Sequence, residues 1–293
     1  MALHLKLCRN ISTWAKLYNL AGTTSRRRLK EEYVWARRHS GNCVIFLNRR
    51  LLHCTHNRID GSIADISAYP FATSLLSNRG EGAYTQVCGG TIISSSAILS
   101  AASCFVTNNV VDSMLWWRAR VGSTNSNSRG LIYLIRRITT HSGFQTTTRV
   151  NDIAVLRTSL NIAFGQNVQA AYIAGGSYSL ANNQPVWAIG WGVTSVSITK
   201  LRQVQIWVND QQTCATRYAE VNFSVTSNML CAGWLDVGVR GQCQGDTGSP
   251  LLHNGVVVGV YSWTQSCGNS RYSNINTRVS AYSRWIEATA TAL

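Results

Sequence analysis

Hydrophobic and polar residues alternate in short runs from Ile59 to the C-terminus. Runs rich in β-branched and aromatic residues are separated by clusters of Gly, Asn and Ser. Four examples are TIISSSAILS (91–100), VWAIGWG (186–192), LRQVQIWV (201–208) and VVVGVYSW (256–263). Runs of this kind, bounded by turn-forming residues, are typical of β-strands. The pattern predicts an all-β architecture for residues 59–293.

The C-terminal residues follow a different period. In VSAYSRWIEATATAL, Val279, Tyr282, Trp285 and Ile286 recur at the spacing that places side chains on one face of an α-helix. We therefore expect a short α-helix at the C-terminus. Residues 59–293 together have the length of one barrel-type domain.

Residues 1–58 differ from the remainder in charge. They contain 12 of the 27 basic residues against Glu31 and Glu32, so they contribute +10 of the net charge of +15. A secretory signal needs an apolar stretch of about seven residues or more, and His4, Lys6 and Arg9 interrupt the first candidate. We expect a poorly structured basic segment over residues 1–58. It is either a pro-segment or an extension that results from a mistaken gene model.

The cysteines favour an oxidising compartment. Residues 59–293 contain six of the nine cysteines, an even set that is compatible with disulfide bonds. Six cysteines allow fifteen pairings, and the count alone does not choose among them. No apolar run reaches the roughly eighteen residues needed to span a bilayer. We predict a secreted, monomeric protein without a membrane span.

Four separated stretches carry a resemblance to a known family. They are CGGTIISSSAILSAASC (88–104), NDIAVLR (151–157), AIGWG (188–192) and CQGDTGSPL (243–251). In order and spacing they resemble the trypsin/chymotrypsin family of serine proteases. Two further stretches resemble the sequences of the midgut trypsins of moths and butterflies, namely LRQVQIWVNDQQTC and NMLCAGWLDVG. The resemblance implies two six-stranded antiparallel β-barrels in residues 59–293. It also implies the disulfide bonds Cys88–Cys104, Cys214–Cys231 and Cys243–Cys267.

The resemblance locates three catalytic positions, of which two carry unusual residues. The family's histidine directly precedes the cysteine of an Ala-Ala-His-Cys motif, and Ser103 stands there in AASC. Asp152 occupies the aspartate position, and Thr247 replaces the nucleophilic serine. A hydroxyl becomes a good nucleophile only when a base takes its proton, and Ser103 offers none. We therefore predict that the triad is inactive. Two other histidines could be considered as a replacement base, His141 and His253, but we expect both to lie away from the triad.

The specificity pocket departs from the family as well. The resemblance puts Gly241 at the pocket floor, where an aspartate selects Lys and Arg side chains. Thr264 follows Ser262 and Trp263 where glycine is usual, and Asn274 replaces another pocket glycine. These changes argue against binding a basic side chain, although Gly241 alone is compatible with a chymotrypsin-like preference.

Other features of the nucleophile loop are retained. By resemblance, the backbone N–H groups of Gly245 and Thr247 form an oxyanion hole. Asp246 would pair with the ammonium group that cleavage of the Arg58–Ile59 bond releases, although RIDG matches the usual activation sequence only in part. Ser249 replaces a second glycine, and this residue would be strained if the backbone there requires a positive φ.

These features predict an inactive serine protease homologue that binds proteins, peptides or protease inhibitors in a gut lumen. One alternative is an endopeptidase of low or atypical activity. The other is a binder of anionic glycans or microbial surfaces through an arginine strip. That strip comprises Arg118, Arg120, Arg129, Arg136 and Arg137. We expect no cofactor, no metal and no nucleic-acid partner.

Arginine strongly outnumbers lysine in the predicted domain. It supplies 14 of the 15 basic residues from residue 59 onward, and Lys200 is the exception. A guanidinium group stays protonated at a pH at which an amine titrates. The bias therefore suits an alkaline medium, with drift in the lineage as the alternative explanation.

Overall fold

The computed structural model describes residues 35–39, 42–47, 50–54, 61–80, 82–192, 199–238 and 240–292. The chain divides into two compact units between residues 56 and 57. In the first unit, strands β1 (Trp35–His39), β2 (Asn42–Leu47) and β3 (Arg50–Cys54) form an antiparallel sheet. The segment for which the sequence predicts little structure thus contains three paired strands in its described part. The apolar run from Cys43 to Leu47 forms the central one.

The second unit holds the remaining described strands, numbered in chain order. They are β4 (Ser62–Ile63), β5 (Ala72–Ser77), β6 (Thr85–Ser94), β7 (Ala97–Ser100), β8 (Val106–Thr107), β9 (Val110–Val111), β10 (Trp117–Val121), β11 (Leu131–Thr140), β12 (Ala154–Thr158), β13 (Tyr172–Ile173), β14 (Pro185–Gly190), β15 (Arg202–Val208), β16 (Met229–Gly233), β17 (Pro250–His253), β18 (Val256–Trp263) and β19 (Asn274–Arg278). Most belong to two barrels.

The first barrel closes through the antiparallel order β10–β11–β12–β7–β6–β5, with β5 pairing back to β10. The alternation of residue types decides which side of a strand faces the core. In β10, with the sequence WRARV, Trp117, Ala119 and Val121 are buried and the two arginines are only partly buried. Phe105 packs edge-on against Trp117, with ring centroids 4.6 Å apart. Buried aromatic and aliphatic side chains thus fill the barrel.

The second barrel closes through β14–β15–β16–β19–β18–β17 and back to β14, again antiparallel. Strand β13 joins β18 in parallel, and β4 adds to β15. Alternation is visible in β15, where Val204, Ile206 and Val208 are buried between partly buried neighbours. The two six-stranded antiparallel barrels confirm the predicted fold class.

Two α-helices occur among the described residues, α1 (Gln211–Ala219) and α2 (Ser283–Thr291). Four short 3₁₀-helices cover Ile66–Ala68, Ala102–Cys104, Met114–Trp116 and Val279–Tyr282. Helix α2 confirms the predicted C-terminal helix. Helix α1 was not predicted. It begins after Asp210, whose carboxylate caps it by accepting a hydrogen bond of 2.7 Å from the backbone N–H of Thr213. Within the part of the chain described, no helix has the length and apolar character needed to cross a membrane.

The three disulfide bonds implied by the resemblance are all formed. Cys88–Cys104 joins β6 to the 3₁₀-helix that carries Ser103. Cys214–Cys231 joins α1 to β16, and Cys243–Cys267 joins the segment before Thr247 to the segment after β18. Two of the three therefore fix backbone segments that border the site described next.

Candidate functional site

Asp152 lies just before β12 and is fully buried. Three hydrogen bonds hold its carboxylate. The Ser103 N–H donates to Oδ1 at 2.7 Å, the Ser103 hydroxyl donates to Oδ2 at 2.8 Å, and the Ser262 hydroxyl donates to Oδ2 at 2.5 Å. Burial raises the pKa of Asp152, and the hydrogen bonds from Ser262 and Ser103 oppose that rise. Both oxygens of the carboxylate thus accept hydrogen bonds from neighbouring hydroxyl and N–H groups.

The hydrogen bond from Ser103 defines what this residue can do. A serine hydroxyl carries a single proton, and here that proton is directed at Asp152. The Ser103 oxygen has no pKa near neutrality that would let it take a proton from another hydroxyl. Ser103 therefore replaces the contact an imidazole would make with Asp152, but it cannot replace the imidazole as a base.

Thr247 lies across the same cleft and is partly exposed. Its carbonyl oxygen accepts a hydrogen bond of 2.8 Å from the N–H of Gly89 in β6, which fixes the loop against the first barrel. Among the described residues, none forms a hydrogen bond with the Thr247 hydroxyl. Within the described part of the chain, the Thr247 hydroxyl is therefore not hydrogen-bonded to a base that could activate it.

The cleft has a volume of about 560 Å³ and brings both predicted positions together. It is lined by Ser103 and Thr247 and by Arg79, Arg149, Gln244, Tyr261, Ser262, Trp263 and Thr264, among others, and no histidine is part of its lining. His141 packs against Tyr282 and Trp285 instead, with ring centroids 5.5 and 5.2 Å away. His253 lies in β17, where its Nδ1 is 2.7 Å from the Tyr178 hydroxyl. Both are held by contacts outside the cleft.

Two glycines with positive φ shape the loop that carries Thr247. Gly245 and Gly248 adopt φ values of +88° and +84°, a region that side-chain-bearing residues rarely occupy. A Cβ at Gly248 would overlap the Ser100 hydroxyl and the Gly89 carbonyl oxygen. The N–H groups of Gly245 and Thr247 form no hydrogen bond with any described residue. They are available to an acceptor in the cleft.

The backbone at Ser249 does not have the positive φ that would strain a serine. The loop therefore accepts a side chain there without left-handed strain. Space for the hydroxyl comes from Gly89 and Gly190, because a Cβ on either would crowd the Ser249 Oγ. That Oγ is buried and has no hydrogen-bond partner among the described residues. The cost of Ser249 is an unpaired hydroxyl rather than a strained backbone.

Asp246 is a second buried carboxylate, next to Thr247 in the chain. Its Oδ1 accepts a hydrogen bond of 2.7 Å from the N–H of Gly192, and its Oδ2 accepts one of 3.0 Å from the N–H of Cys243. Burial raises the pKa of Asp246 to about 6, although both hydrogen bonds favour the charged form. Within the described residues it has no cationic partner. Arg58 and Ile59, the predicted activation site, lie outside the described residues.

The Asn274 side chain fills the floor of the predicted specificity pocket. Asn274 is 5% exposed, and its amide group is bound to the backbone of Gln242, which donates to Oδ1 at 3.1 Å and accepts from Nδ2 at 2.9 Å. A Cβ at Gly241 would overlap the Asn274 Oδ1. The asparagine therefore occupies the space into which a larger residue at position 241 would extend.

Tyr261, which was not among the predicted pocket residues, lines the cleft together with Ser262, Trp263 and Thr264. Its side chain is 3% exposed and lies beneath the cleft. Burial and the nearby Asp246 carboxylate raise the pKa of Tyr261 well above 10, while a hydrogen bond with the Asn274 side chain opposes the rise. The position of Tyr261 directly before Ser262 and Trp263 was the available signal, since a bulky aromatic there must fill space beside the pocket.

Comparison with known proteins decides the family. The family model described as Trypsin matches residues 58–286, which is well over half of the chain. The chain belongs to the trypsin family. Trypsin CFT-1 of Choristoneura fumiferana is 48% identical to it over 235 residues, 79% of this chain and 90% of that protein. Trypsin, alkaline A of Manduca sexta is 47% identical over 231 residues, 78% of this chain and 89% of that protein. Achelase-1 of Lonomia achelous is 47% identical over 219 residues, 71% of this chain and 99% of that protein.

This trypsin-family chain does not present its arginine strip as a uniform basic surface. Arg118 stacks over the ring of Tyr84 at 4.3 Å. Arg120 donates to the backbone carbonyl oxygens of Arg129 and Asn127. Arg136 is exposed on β11. Several guanidinium groups of the strip are therefore engaged within the barrel surface, which weakens the case for a glycan site there.

Proposed function

We propose that this member of the trypsin family binds proteins or peptides in its cleft without cleaving them. The observation that supports this most directly is the hydrogen bond from the Ser103 hydroxyl to Asp152, in the place where a general base is required. Removing the base or the nucleophile of such a triad lowers turnover about 10⁶-fold. Both are replaced in this chain, at Ser103 and Thr247.

The filled pocket supports the same proposal from a different direction. A trypsin-like peptidase needs a recess for the side chain that precedes the cleaved bond, and Asn274 occupies the space beside Gly241 at the floor of that recess. A protease inhibitor that inserts a long basic side chain would find no carboxylate and little room. We therefore propose protein or peptide ligands that lie across the cleft rather than insert into the pocket.

We further propose that the protein is secreted and acts in an alkaline medium as a monomer. Three disulfide bonds suit an oxidising compartment. Relatives in Manduca sexta carry the name alkaline trypsin. The dominance of arginine over lysine from residue 59 onward keeps positive charge constant at high pH.

Low endopeptidase activity is the main competing function, because relatives with 47–48% identity are named trypsins. A fluorophosphonate probe tests both on the full chain, before and after limited cleavage at Arg58, with mass spectrometry of the labelled residue. We expect no label on the natural chain and label on a Ser103→His/Thr247→Ser variant. Label on Thr247 of the natural chain would show that an active nucleophile exists and would overturn the proposal.

A further inference from the structure

The charged residues that line the cleft are all basic. Arg79 and Arg149 are the charged residues of its lining, and no Asp or Glu is part of it. Asp152 lies beneath, fully buried, with its oxygens occupied by Ser103 and Ser262. Two guanidinium groups thus face a space that contains no accessible carboxylate. Such a lining favours an anionic ligand over a cationic one.

Arg149 is held by its backbone while its side chain is left without a hydrogen-bond partner. It adopts a φ of +56°, and its N–H donates to the Gln145 carbonyl oxygen at 2.9 Å. Among the described residues, its guanidinium group forms no hydrogen bond and no ion pair. The loop therefore presents a cation with free donors to the cleft.

Arg79 supplies a second cation that is anchored in advance. Its Nη2 donates to the Cys104 carbonyl oxygen at 3.1 Å, and its Nε lies 3.4 Å from the buried Asp112 carboxylate. The group also lies over the Trp117 ring at 5.6 Å. Its side chain is still 44% exposed. Because these contacts restrict its rotamers, binding a ligand carboxylate costs less conformational entropy than it would for a free surface arginine.

The backbone around the cleft favours a peptide over other anions. Strand β17 begins at Pro250, opposite Val260, so the last residues of β18, Ser262 and Trp263, extend past it and line the cleft. A strand that extends past its neighbour can pair with an added extended chain. The N–H groups of Gly245 and Thr247 are also free to donate. Regular backbone pairing of this kind suits a peptide and not a polysaccharide.

We propose that the cleft binds an extended peptide segment with Asp or Glu side chains, whose carboxylates pair with Arg149 and Arg79. This rests on the proposed non-catalytic function and names its class of ligand. The acidic preference is the reverse of that expected for a pocket with an aspartate at position 241. Asn274 removes the space beside Gly241 in which a basic side chain would be held.

Fluorescence anisotropy with the full chain tests the proposal. Three labelled peptides of equal length, blocked at both ends, carry Glu, Gln or Lys at alternate positions. We expect the Glu peptide to bind about tenfold more tightly than the Gln peptide, as charge-assisted hydrogen bonds imply, and to weaken with added salt. The Lys peptide should bind most weakly. Equal binding of the Glu and Gln peptides would overturn the acidic preference.

Matched charge changes locate the binding. Arg149→Gln should weaken the Glu peptide about tenfold and leave the Gln peptide unchanged, because only the charged pair is lost. Arg136→Gln removes the same charge from the exposed face of β11 and serves as the control. If Arg136→Gln weakens binding as much as Arg149→Gln, the arginine strip or the net charge is responsible and the proposal is wrong. A heparin oligosaccharide that binds in an Arg149-dependent way more tightly than the Glu peptide would also overturn it in favour of a glycan.

Mass spectrometry of the peptides after incubation separates this inference from the proposed function. Intact peptides, no fluorophosphonate label and no preference for Glu would refute the acidic ligand alone. Cleaved peptides or a labelled Thr247 would refute the non-catalytic function, whatever the affinities are.

Discussion

Asn274 fills the space that a side chain on Gly241 would need, and the two residues therefore have to change together. We predict that Gly241→Asp alone destabilises the protein by about 1–3 kcal/mol or more, because overpacking adds to the burial of a carboxylate. Asn274→Gly in the same chain should recover much of that loss. Thermal unfolding of the single and double variants measures both effects, and an additive pair would contradict the contact.

Tyr261 is buried and lines the cleft, and we expect its ring to narrow the pocket beside Asn274. We predict that p-aminobenzamidine, a small aromatic cation, binds a Gly241→Asp/Asn274→Gly/Tyr261→Val variant and not the natural chain, because only the triple variant combines space with a carboxylate. The double variant without Tyr261→Val is the control, and it should bind weakly or not at all. Tight binding to the double variant would mean that the phenol does not block the pocket.

Restoring both catalytic residues should have a far larger effect on labelling than restoring either one alone. Thr247→Ser alone gives a serine without a base, so we expect no fluorophosphonate label above the natural chain. Ser103→His supplies the base beside Asp152, and the effects of both changes should be far from additive, as they are for residues that act as a unit. Labelling rates for the two single variants and the double variant measure this. Label on Thr247→Ser alone would reveal another base.

Buried carboxylates predict an unusual dependence of stability on pH. Folding raises the pKa of Asp246 from 3.8 to about 6, so its contribution is complete below pH 3.8 and is lost as the pH rises through 6. The change corresponds to roughly 3 kcal/mol in the free energy of unfolding. Burial raises the pKa of Asp152 as well, so its effect has the same sign.

Urea unfolding of the uncleaved chain between pH 4 and 8 measures this dependence. Asp246→Asn should flatten the profile. Asp236→Asn is the control, because the pKa of exposed Asp236 is lowered by Arg217 and its removal should not reduce the loss of stability above pH 4. A profile that Asp246→Asn leaves unchanged would show that this carboxylate is paired with a cation in the folded chain.

The sequence predicted the fold and the positions around the cleft, but it did not predict how the pocket is filled. Strand alternation was visible because it follows local periodicity, whereas the disulfide pairings and the site positions came from the resemblance to the trypsin/chymotrypsin family. The bond between Ser103 and Asp152 joins residues 49 positions apart, and the contact of Asn274 with Gln242 joins residues 32 apart. Which hydroxyl meets which carboxylate depends on how the two barrels fold together. The place of Tyr261 before Ser262 and Trp263 was visible in the sequence, but its burial beside the cleft depends on how β18 packs in the second barrel.

Ser249 and Ser262 are two buried serines of the same cleft region with opposite expected effects. The Ser249 hydroxyl is buried without a hydrogen-bond partner among the described residues, whereas the Ser262 hydroxyl donates to Asp152 at 2.5 Å. We predict that Ser249→Ala raises stability by about 1 kcal/mol, because it removes an unpaired polar group and keeps the Cβ. Ser262→Ala should lower stability by about 1–3 kcal/mol, because it leaves the carboxylate with one donor fewer. Chemical unfolding of both variants at pH 8, where Asp152 is more fully charged, compares them directly. A destabilising Ser249→Ala would mean that the hydroxyl has a partner, such as a buried water molecule, that stabilises the nucleophile loop.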